Sequence, residues 1–381
     1  MKTPFYYYDM ALLDSTLAVL TEHAKQNDVA VHYALKANNH PRILQKIAAR
    51  GMGADCVSGG EIAAALAAGV APASIFFAGV GKRDEEILLA LQSGIGAFVV
   101  ESAAELFNIE QLARANGCIA PVLLRLNPEV DAHTHSHITT GLAENKFGLA
   151  PDDALALMPH LIQSDALSWR GLHFHIGSQI REAAVFEALC HKVNHLLSLF
   201  RTIGYSPEIV DLGGGLGINY AEPQSESIPN FAAYIQRFRM LIEANGARLH
   251  IEPGRSVVAQ CGSLITQVLY IKEGKTKTFA IVDASMTDLV RPALYEAHHQ
   301  IQLVRPDNWT IPASPVPIAM RPYDIVGPVC ESSDVFERDL LMPELKRGDY
   351  LAIRSAGAYG AVMASSYNMR PLAESLFSDE R

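Results

Sequence analysis

Short apolar runs alternate with amphipathic stretches from residue 31 to about 252. The runs are VHYALK (31–36), GADCV (53–57), IFFAG (75–79), GAFVV (96–100), VLLRLN (122–127), RGLHFHI (170–176), EIVDLG (208–213) and RLHIE (248–252). Between them, segments such as HPRILQKIAARG and GEIAAALAAG space apolar residues at i, i+3 and i+4 and end at glycine, which predicts helices. Eight strands alternating with helices predict an α/β chain with a (β/α)8 barrel of the TIM type. A doubly wound open sheet is the competing architecture, but no GxGxxG opens a βαβ unit to support it. From about residue 263 the texture changes: SLITQVLYIKEG, KTFAIVDAS, YDIVGPVC and DYLAIRSAGAY are β-rich with short turns. These predict a mostly antiparallel C-terminal β-domain, a barrel or sandwich, with FYYYD (5–9) as an extra strand of it. The expected domains are therefore a barrel over 12–262 and a β-domain made of 1–11 and 263–381. The proline-rich stretch 305–317 reads as an exposed loop.

Composition narrows the function. The 381 residues are 49% hydrophobic and 19% charged, with a formal net charge of -10 and no basic run. That argues against a nucleic-acid or anionic-membrane surface and favours a small-molecule substrate. Five cysteines are scattered without CxxC spacing, which reads as reduced thiols, with neither a disulfide framework nor a zinc knuckle. No apolar run approaches a membrane span, and the N-terminal residues lack a signal-peptide pattern, so a cytoplasmic location is expected.

In such a barrel, chemistry gathers at the C-terminal strand ends. Those ends carry Lys36, Asp55, Arg125, HFHIGS with His175 and Ser178, DLGGGLG with Gly213, Gly214 and Gly215, and EPGR with Glu252, Gly254 and Arg255. A lysine closing a buried strand loses hydration unless a partner or a covalent bond compensates, or unless the strand simply reaches solvent there. The glycine run is either a turn or an anion nest whose backbone N–H groups close on a phosphate. Arg255 is either a surface residue or a further charge for that phosphate. Glu252 either bridges to a basic neighbour or accepts from a protonated ring nitrogen, and His175 either fills the core or lies flat over a planar ligand. Taken together, lysine, phosphate nest, stacking face and acid describe a site for pyridoxal 5'-phosphate.

The chain resembles the diaminopimelate decarboxylase family, barrel-type (fold type III) pyridoxal-phosphate enzymes related to ornithine decarboxylase and alanine racemase. The resemblance covers almost the whole chain and rests on YALKAN, GADCVSGGE, LRLNP, HTHSHITTG, KFG, HFHIGSQ, DLGGGLGI, EPGRSVV, RPALYEAHH, GPVCESSDVF, GAYG and SSYNMRP. It implies decarboxylation of meso-2,6-diaminopimelate at its D-centre to L-lysine and CO2, the last step of lysine biosynthesis. It also implies that Lys36 bonds the cofactor aldehyde, His175 stacks on the ring and Glu252 faces the pyridine nitrogen. Asp55, Arg125, Ser178, Gly213 to Gly215, Gly254, Arg255 and Tyr359 would complete the cofactor site. Arg255, Arg291, Tyr295 and Tyr359 would bind substrate, with Glu331 on its distal ammonium. Cys330 would be the proton donor. Cys330 and Glu331 would come from the partner subunit, so a homodimer is expected. Arg291 and Tyr295 are four apart, so a helical turn points them the same way. Phe174 and Ser333 depart from the family pattern, where smaller residues are usual.

Rival readings remain at this stage. A sister decarboxylase acting on D-ornithine, D-lysine or carboxynorspermidine shares most of these motifs. A racemase would set an arginine against the pyridine nitrogen, where this chain has Glu252. A cofactor-carrier barrel would lack the β-domain. Alternating His133, His135 and His137 suit zinc, but that reading leaves Lys36 and the glycine run unexplained, and no metal is expected.

Overall fold

A computed structural model describes residues 2–130, 146–306, 309 and 319–380. The histidines 133, 135 and 137 lie outside the described residues. The chain divides into two compact units: Thr16–Gly217 with Asn230–Gly254, and Met1–Ser15 with Ile218–Pro229 and Arg255–Arg381. The segment 218–229 thus leaves the first unit and returns to it, a detour that strand periodicity alone does not signal.

In the first unit, eight parallel strands close into a ring. They are Val29–Ala34, Gly53–Cys56, Ile75–Phe77, Ala97–Val100, Ala120–Leu126, Leu167–Phe174, Ile209–Asp211 and Arg248–Ile251. The first strand pairs with the second and with the last, which shuts the barrel. All eight expected runs are strands because parallel strands buried on both faces need near-continuous apolar sequence. The connecting helices start on local caps. His40 Nδ1 accepts the Arg42 N–H (3.3 Å) ahead of Pro41, and Ser58 and Ser102 accept the N–H groups of Glu61 and Glu105 (3.2 Å each).

The N-terminal end of the barrel holds an unusual polar core. His32, Phe76 and His250 stack, with ring centroids 4.0 Å apart for His32 and Phe76. His32 Nδ1 meets the Ser74 carbonyl at 3.1 Å, so that nitrogen must carry the proton. His32 Nε2 then accepts from His250 Nδ1 at 2.8 Å. Burial pushes His32 down to about 4, and burial with the His32 neighbour pushes His250 down to about 2.

In the second unit, eight strands among the described residues form one mostly antiparallel array. Gly262–Glu273 is its spine. Residues 264–267 pair with Tyr350–Ile353, and residues 268–273 pair with Thr278–Val282 across a bulge. Phe5–Tyr8 pairs antiparallel with the start of that spine and parallel with Glu374–Phe377. Ile301–Val304, Val335–Pro343 and Glu374–Phe377 are strands that the sequence pattern did not pick out. Val335–Pro343 carries Glu337, Arg338 and Asp339 mid-strand, which breaks the apolar alternation. Lys277 Nζ ties this strand down by meeting the carboxylates of Asp324 (3.0 Å) and Asp339 (3.1 Å). Among the described residues no helix is long and apolar enough to cross a membrane.

The histidine stack makes a stability prediction. A histidine depressed in the folded state stays neutral there, while its unfolded form takes a proton near 6.5. Its stabilising contribution is therefore complete above pH 6.5 and falls as pH drops toward the folded value of about 4 for His32. Each such histidine should cost about 1.4 kcal/mol per pH unit over that window. Urea midpoints measured from pH 7 to 4.5 should fall less steeply in a His32→Gln/His250→Gln double variant than in the parent. Equal slopes would show that the stack is not what titrates.

Candidate active site

The first strand stops at Ala34, and Leu35–Ala37 form a single 3-10 turn, so Lys36 lies just past the strand instead of ending it. Its Nζ donates to Asp55 Oδ2 at 2.9 Å; the lysine side chain is 39% exposed and the aspartate 1%. Burial and nearby Glu252 raise the Asp55 carboxyl, against the pull of Lys36. The ammonium is held by an acid yet remains reachable from outside.

Glu252 directly follows the last barrel strand and is buried. His173 Nε2 donates to Glu252 Oε2 at 3.1 Å. Burial pushes the Glu252 carboxyl up, but His173, Lys36 and Arg125 outweigh it and keep the group below the usual carboxylate range. Glu252 Oε1 has no hydrogen-bond partner among the described residues, and neither do Asp55 Oδ1 and Asp211 Oδ2. Asp211 is pushed well up by burial and by Glu252. His173, Asp211 and Glu252 offer donor atoms within 4.8 Å of one another. His173 and Asp211 were not among the residues expected at the site. The signals were present, because His173 is two residues from His175 and Asp211 precedes the glycine run, but each has a prosaic reading alone.

The glycine run is a cradle that side chains would fill. Gly213 has φ +67°, and a Cβ there would stand 2.4 Å from the Phe174 carbonyl oxygen. A Cβ on Gly214 would stand 2.2 Å from the Glu252 carbonyl oxygen. The Gly214 N–H donates to His175 Nδ1 at 3.3 Å, so His175 carries its proton on Nε2. Burial, then Arg125 and Lys36, push His175 well below its ordinary value, leaving a neutral flat ring. Ser178 precedes Gln179, which takes a left-handed φ of +62°. Gly254 lets the chain pass close to Ala34 and Ala37, where a Cβ would sit 3.1 Å from each. Arg125 is consumed within the barrel: its Nη1 pairs with Glu101 Oε1 at 2.7 Å, and both side chains are buried. Glu101 also accepts the N–H groups of Gly79 (3.2 Å) and Gly148 (2.8 Å), a knot that motif reading missed.

In the second unit, Arg255, Arg291, Tyr220 and Tyr359 cluster. Arg255 Nη1 donates to the Tyr220 hydroxyl at 2.7 Å, and its guanidinium lies 4.8 Å from the Tyr359 ring centre. Arg291 sits 4.6 Å from the Tyr220 ring centre and is 5% exposed. Arg291–Tyr295 is the expected helical turn, with Arg291 buried and Tyr295 half-buried. Tyr359 holds a left-handed φ of +55°, uncommon for a bulky side chain and costly unless its surroundings enforce it. Cys330 and Glu331 lie exposed on a separate loop, where Glu331 accepts from the Tyr367 hydroxyl at 2.9 Å. Buried Asp334 pins that loop by accepting the N–H groups of Val329 (2.7 Å) and Met286 (2.6 Å).

This combination of a closed barrel, a rim lysine on an acid, a glycine cradle and a buried carboxylate with a spare oxygen defines a class that the comparisons specify. The family described as "Pyridoxal-dependent decarboxylase, pyridoxal binding domain" matches residues 15–259. The diaminopimelate decarboxylase of Bacteroides thetaiotaomicron is 49% identical, covering 100% of this chain and 96% of that protein. That of Zymomonas mobilis is 43% identical over 97% of this chain and 86% of its own length. The crystal structure of diaminopimelate decarboxylase from Helicobacter pylori complexed with L-lysine superposes with a TM-score of 0.91 at 41% identity, covering 100% of this chain and 93% of that one. The chain belongs to the diaminopimelate decarboxylase family of pyridoxal-dependent decarboxylases.

The cradle can be tested without any ligand. Gly213→Ala combines a left-handed backbone with a Cβ driven into the Phe174 carbonyl, and should cost about 2–4 kcal/mol in chemical denaturation. Gly60→Ala, inside helix Gly59–Ala67 with only the Ser58 hydroxyl nearby at 3.8 Å, should be neutral or stabilising. Equal stability of the two variants would show that the glycine cradle is not needed for close approach.

Proposed function

We propose that the chain is a pyridoxal 5'-phosphate-dependent enzyme that removes CO2 from the D-centre of meso-2,6-diaminopimelate and releases L-lysine. The observation that carries this substrate is Arg291. It is a buried guanidinium with no carboxylate at ion-pair distance among the described residues. An uncompensated buried cation is unfavourable, and a second carboxylate on the substrate would balance it. A substrate lacking that carboxylate should bind about 2–5 kcal/mol less well, the usual cost of leaving one partner of a buried charge pair alone.

The residues of the barrel rim fit the cofactor. Bound pyridoxal phosphate supplies an aldehyde for the substrate amine and a ring that withdraws electrons from the breaking Cα–carboxylate bond. Lys36 Nζ, steered by Asp55, would bond the aldehyde carbon. The spare Oε1 of Glu252 would accept from the pyridine nitrogen, and the depressed Glu252 carboxyl would favour a proton on that nitrogen. Neutral His175 offers a flat face. Gly213, Gly214, Gly215, Ser178, Gly254 and Arg255 would hold the phosphate, by backbone N–H, hydroxyl and guanidinium donors. Arg125, already engaged with Glu101, would support the rim rather than add free charge.

Arg255, Arg291, Tyr295 and Tyr359 would take the distal end of the substrate. The Cys330 thiol would deliver the proton to the α-carbon, and Glu331 would hold the distal ammonium. Both sit on an exposed loop, which suits a role in the site of a second subunit and hence a homodimer. A biosynthetic reaction of this kind is in keeping with a cytoplasmic location.

Release of CO2 from meso-diaminopimelate should far exceed release from ornithine, lysine or arginine at equal concentration. Preferred turnover of one of those monoacids would replace this substrate with that of a sister decarboxylase. Borohydride treatment followed by peptide mapping should place a pyridoxyl group on Lys36, and Lys36→Ala should lose both the label and all activity. Label on another lysine would overturn the assignment. Cys330→Ala should retain cofactor absorbance while kcat falls by about 100-fold or more, the scale of a general acid. Full activity in that variant would mean that another group delivers the proton.

A further inference from the structure

Two groups hold the Arg291 guanidinium without carrying a negative charge: the Tyr220 ring, 4.6 Å away, and the imidazole of His299. His299 is 1% exposed. Its Nδ1 lies 2.8 Å from the Arg354 carbonyl oxygen, and its Nε2 lies 2.8 Å from Arg291 Nη1. A carbonyl oxygen only accepts and a guanidinium only donates. One proton arrangement satisfies both contacts: Nδ1–H donates to Arg354, and bare Nε2 accepts from Arg291. His299 is therefore a neutral anchor, and protonating it would break its bond to Arg291. Burial and the Arg291 charge push it down to about 3, in the same direction.

The anchor is braced by the segment carrying Tyr220 and by the strand end carrying Arg354. The Tyr220 ring meets His299 edge-on at 5.0 Å while its face receives Arg291. The Tyr220 carbonyl accepts the Gln300 N–H at 3.2 Å, and the Gln300 carbonyl accepts the Arg354 N–H at 2.8 Å. The residue next to His299 is thus tied both to the segment carrying Tyr220 and to the strand end carrying Arg354. His298, its other neighbour, turns away to Glu337 at 2.6 Å, so the nearby acid is already engaged.

We propose that His299 is a specificity-positioning residue: it fixes the Arg291 guanidinium through a neutral acceptor, reserving the positive charge for substrates that carry an oxyanion remote from the reacting centre. An aspartate or glutamate at this place would also hold the arginine, but would neutralise it and remove the need for the second carboxylate. The inference rests on the reading above that Arg291 receives the distal carboxylate.

The test uses holoenzyme carrying His299→Gln, His299→Leu and His299→Glu. Steady-state kinetics on meso-diaminopimelate and D-lysine would be joined by calorimetric titration with pimelate, an unreactive dicarboxylate. Glutamine can accept from Arg291 and donate to Arg354, so His299→Gln should stay within about threefold of the parent in KM and in pimelate affinity. His299→Leu should raise KM for diaminopimelate by about tenfold or more and weaken pimelate in parallel, with kcat and cofactor absorbance little changed. His299→Glu should lower the diaminopimelate-to-D-lysine ratio of kcat/KM by about tenfold or more. Should His299→Leu fail to fold, the near-isosteric Gln and Glu variants carry the test alone. Equal substrate ratios in Gln and Glu, or an unchanged KM and pimelate affinity in Leu, would overturn the inference while leaving the decarboxylase reading intact. A parent enzyme that neither decarboxylates diaminopimelate nor binds pimelate would overturn that reading, and the role of His299 with it.

Discussion

A charge taken out of water has to be answered, and most of the buried charges described here are answered from within the chain. Arg125 has Glu101, Lys36 has Asp55, and Glu252 has His173. Lys277 has Asp324. Arg291 is answered differently, because among the described residues the groups around it are a neutral imidazole and an aromatic face. An arginine stacked on a ring and bonded to a histidine is well positioned but not neutralised. Each arrangement has a definite consequence: a paired charge is structure, whereas a positioned and unpaired one is affinity for something else. The same contrast separates Arg125, engaged in the barrel wall, from Arg291, even though both are buried arginines in motifs of the family.

The barrel concentrates such groups by geometry. All eight strands run in one direction, so all their C-terminal ends meet at one rim. Lys36, Asp55, His173, Asp211 and Glu252 come from different strands or strand ends, and closing the ring places them in mutual electrostatic range. The result is three buried carboxyl groups pushed in different directions. Glu252 stays ionised beside His173, while Asp211 and Asp55 are raised by burial and by the Glu252 charge. Neighbouring acids whose affinities for protons are driven apart in this way can take different roles in one pocket.

Legibility in the sequence followed burial pattern. Strands buried on both faces write themselves as unbroken apolar runs, so the ring could be counted from RLHIE back to VHYALK. Val335–Pro343 could not, because Glu337, Arg338 and Asp339 interrupt it and its partners are the ladder to Met320–Val326 and Lys277, 62 residues before Asp339. The two-residue correction at the strand end before Lys36 has the same origin. Apolar character continues through Leu35, but the backbone turns after Ala34. Among the candidate site residues, motif order drew attention to Lys36, Asp55, Glu252 and the glycines, which the fold brings to one rim. His173, Asp211, Glu101, Tyr220 and His299 escaped notice because their importance lies in a partner: His173 and Glu252 are 79 positions apart, and Tyr220 and Arg255 are 35.

The amino-acid order alone therefore determined the number and sequence of the barrel strands, the second β-rich region, and the residue types available for chemistry. It could do so because helix and strand periods, caps and apolar runs are local properties read over a few neighbours. Only the tertiary structure decided which charges cancel, which histidine tautomer is present and which carboxyl oxygen is left without a partner. Those outcomes depend on distances of about 3 Å between residues far apart in the chain, and on how much water folding removes around them. A linear pattern carries neither quantity.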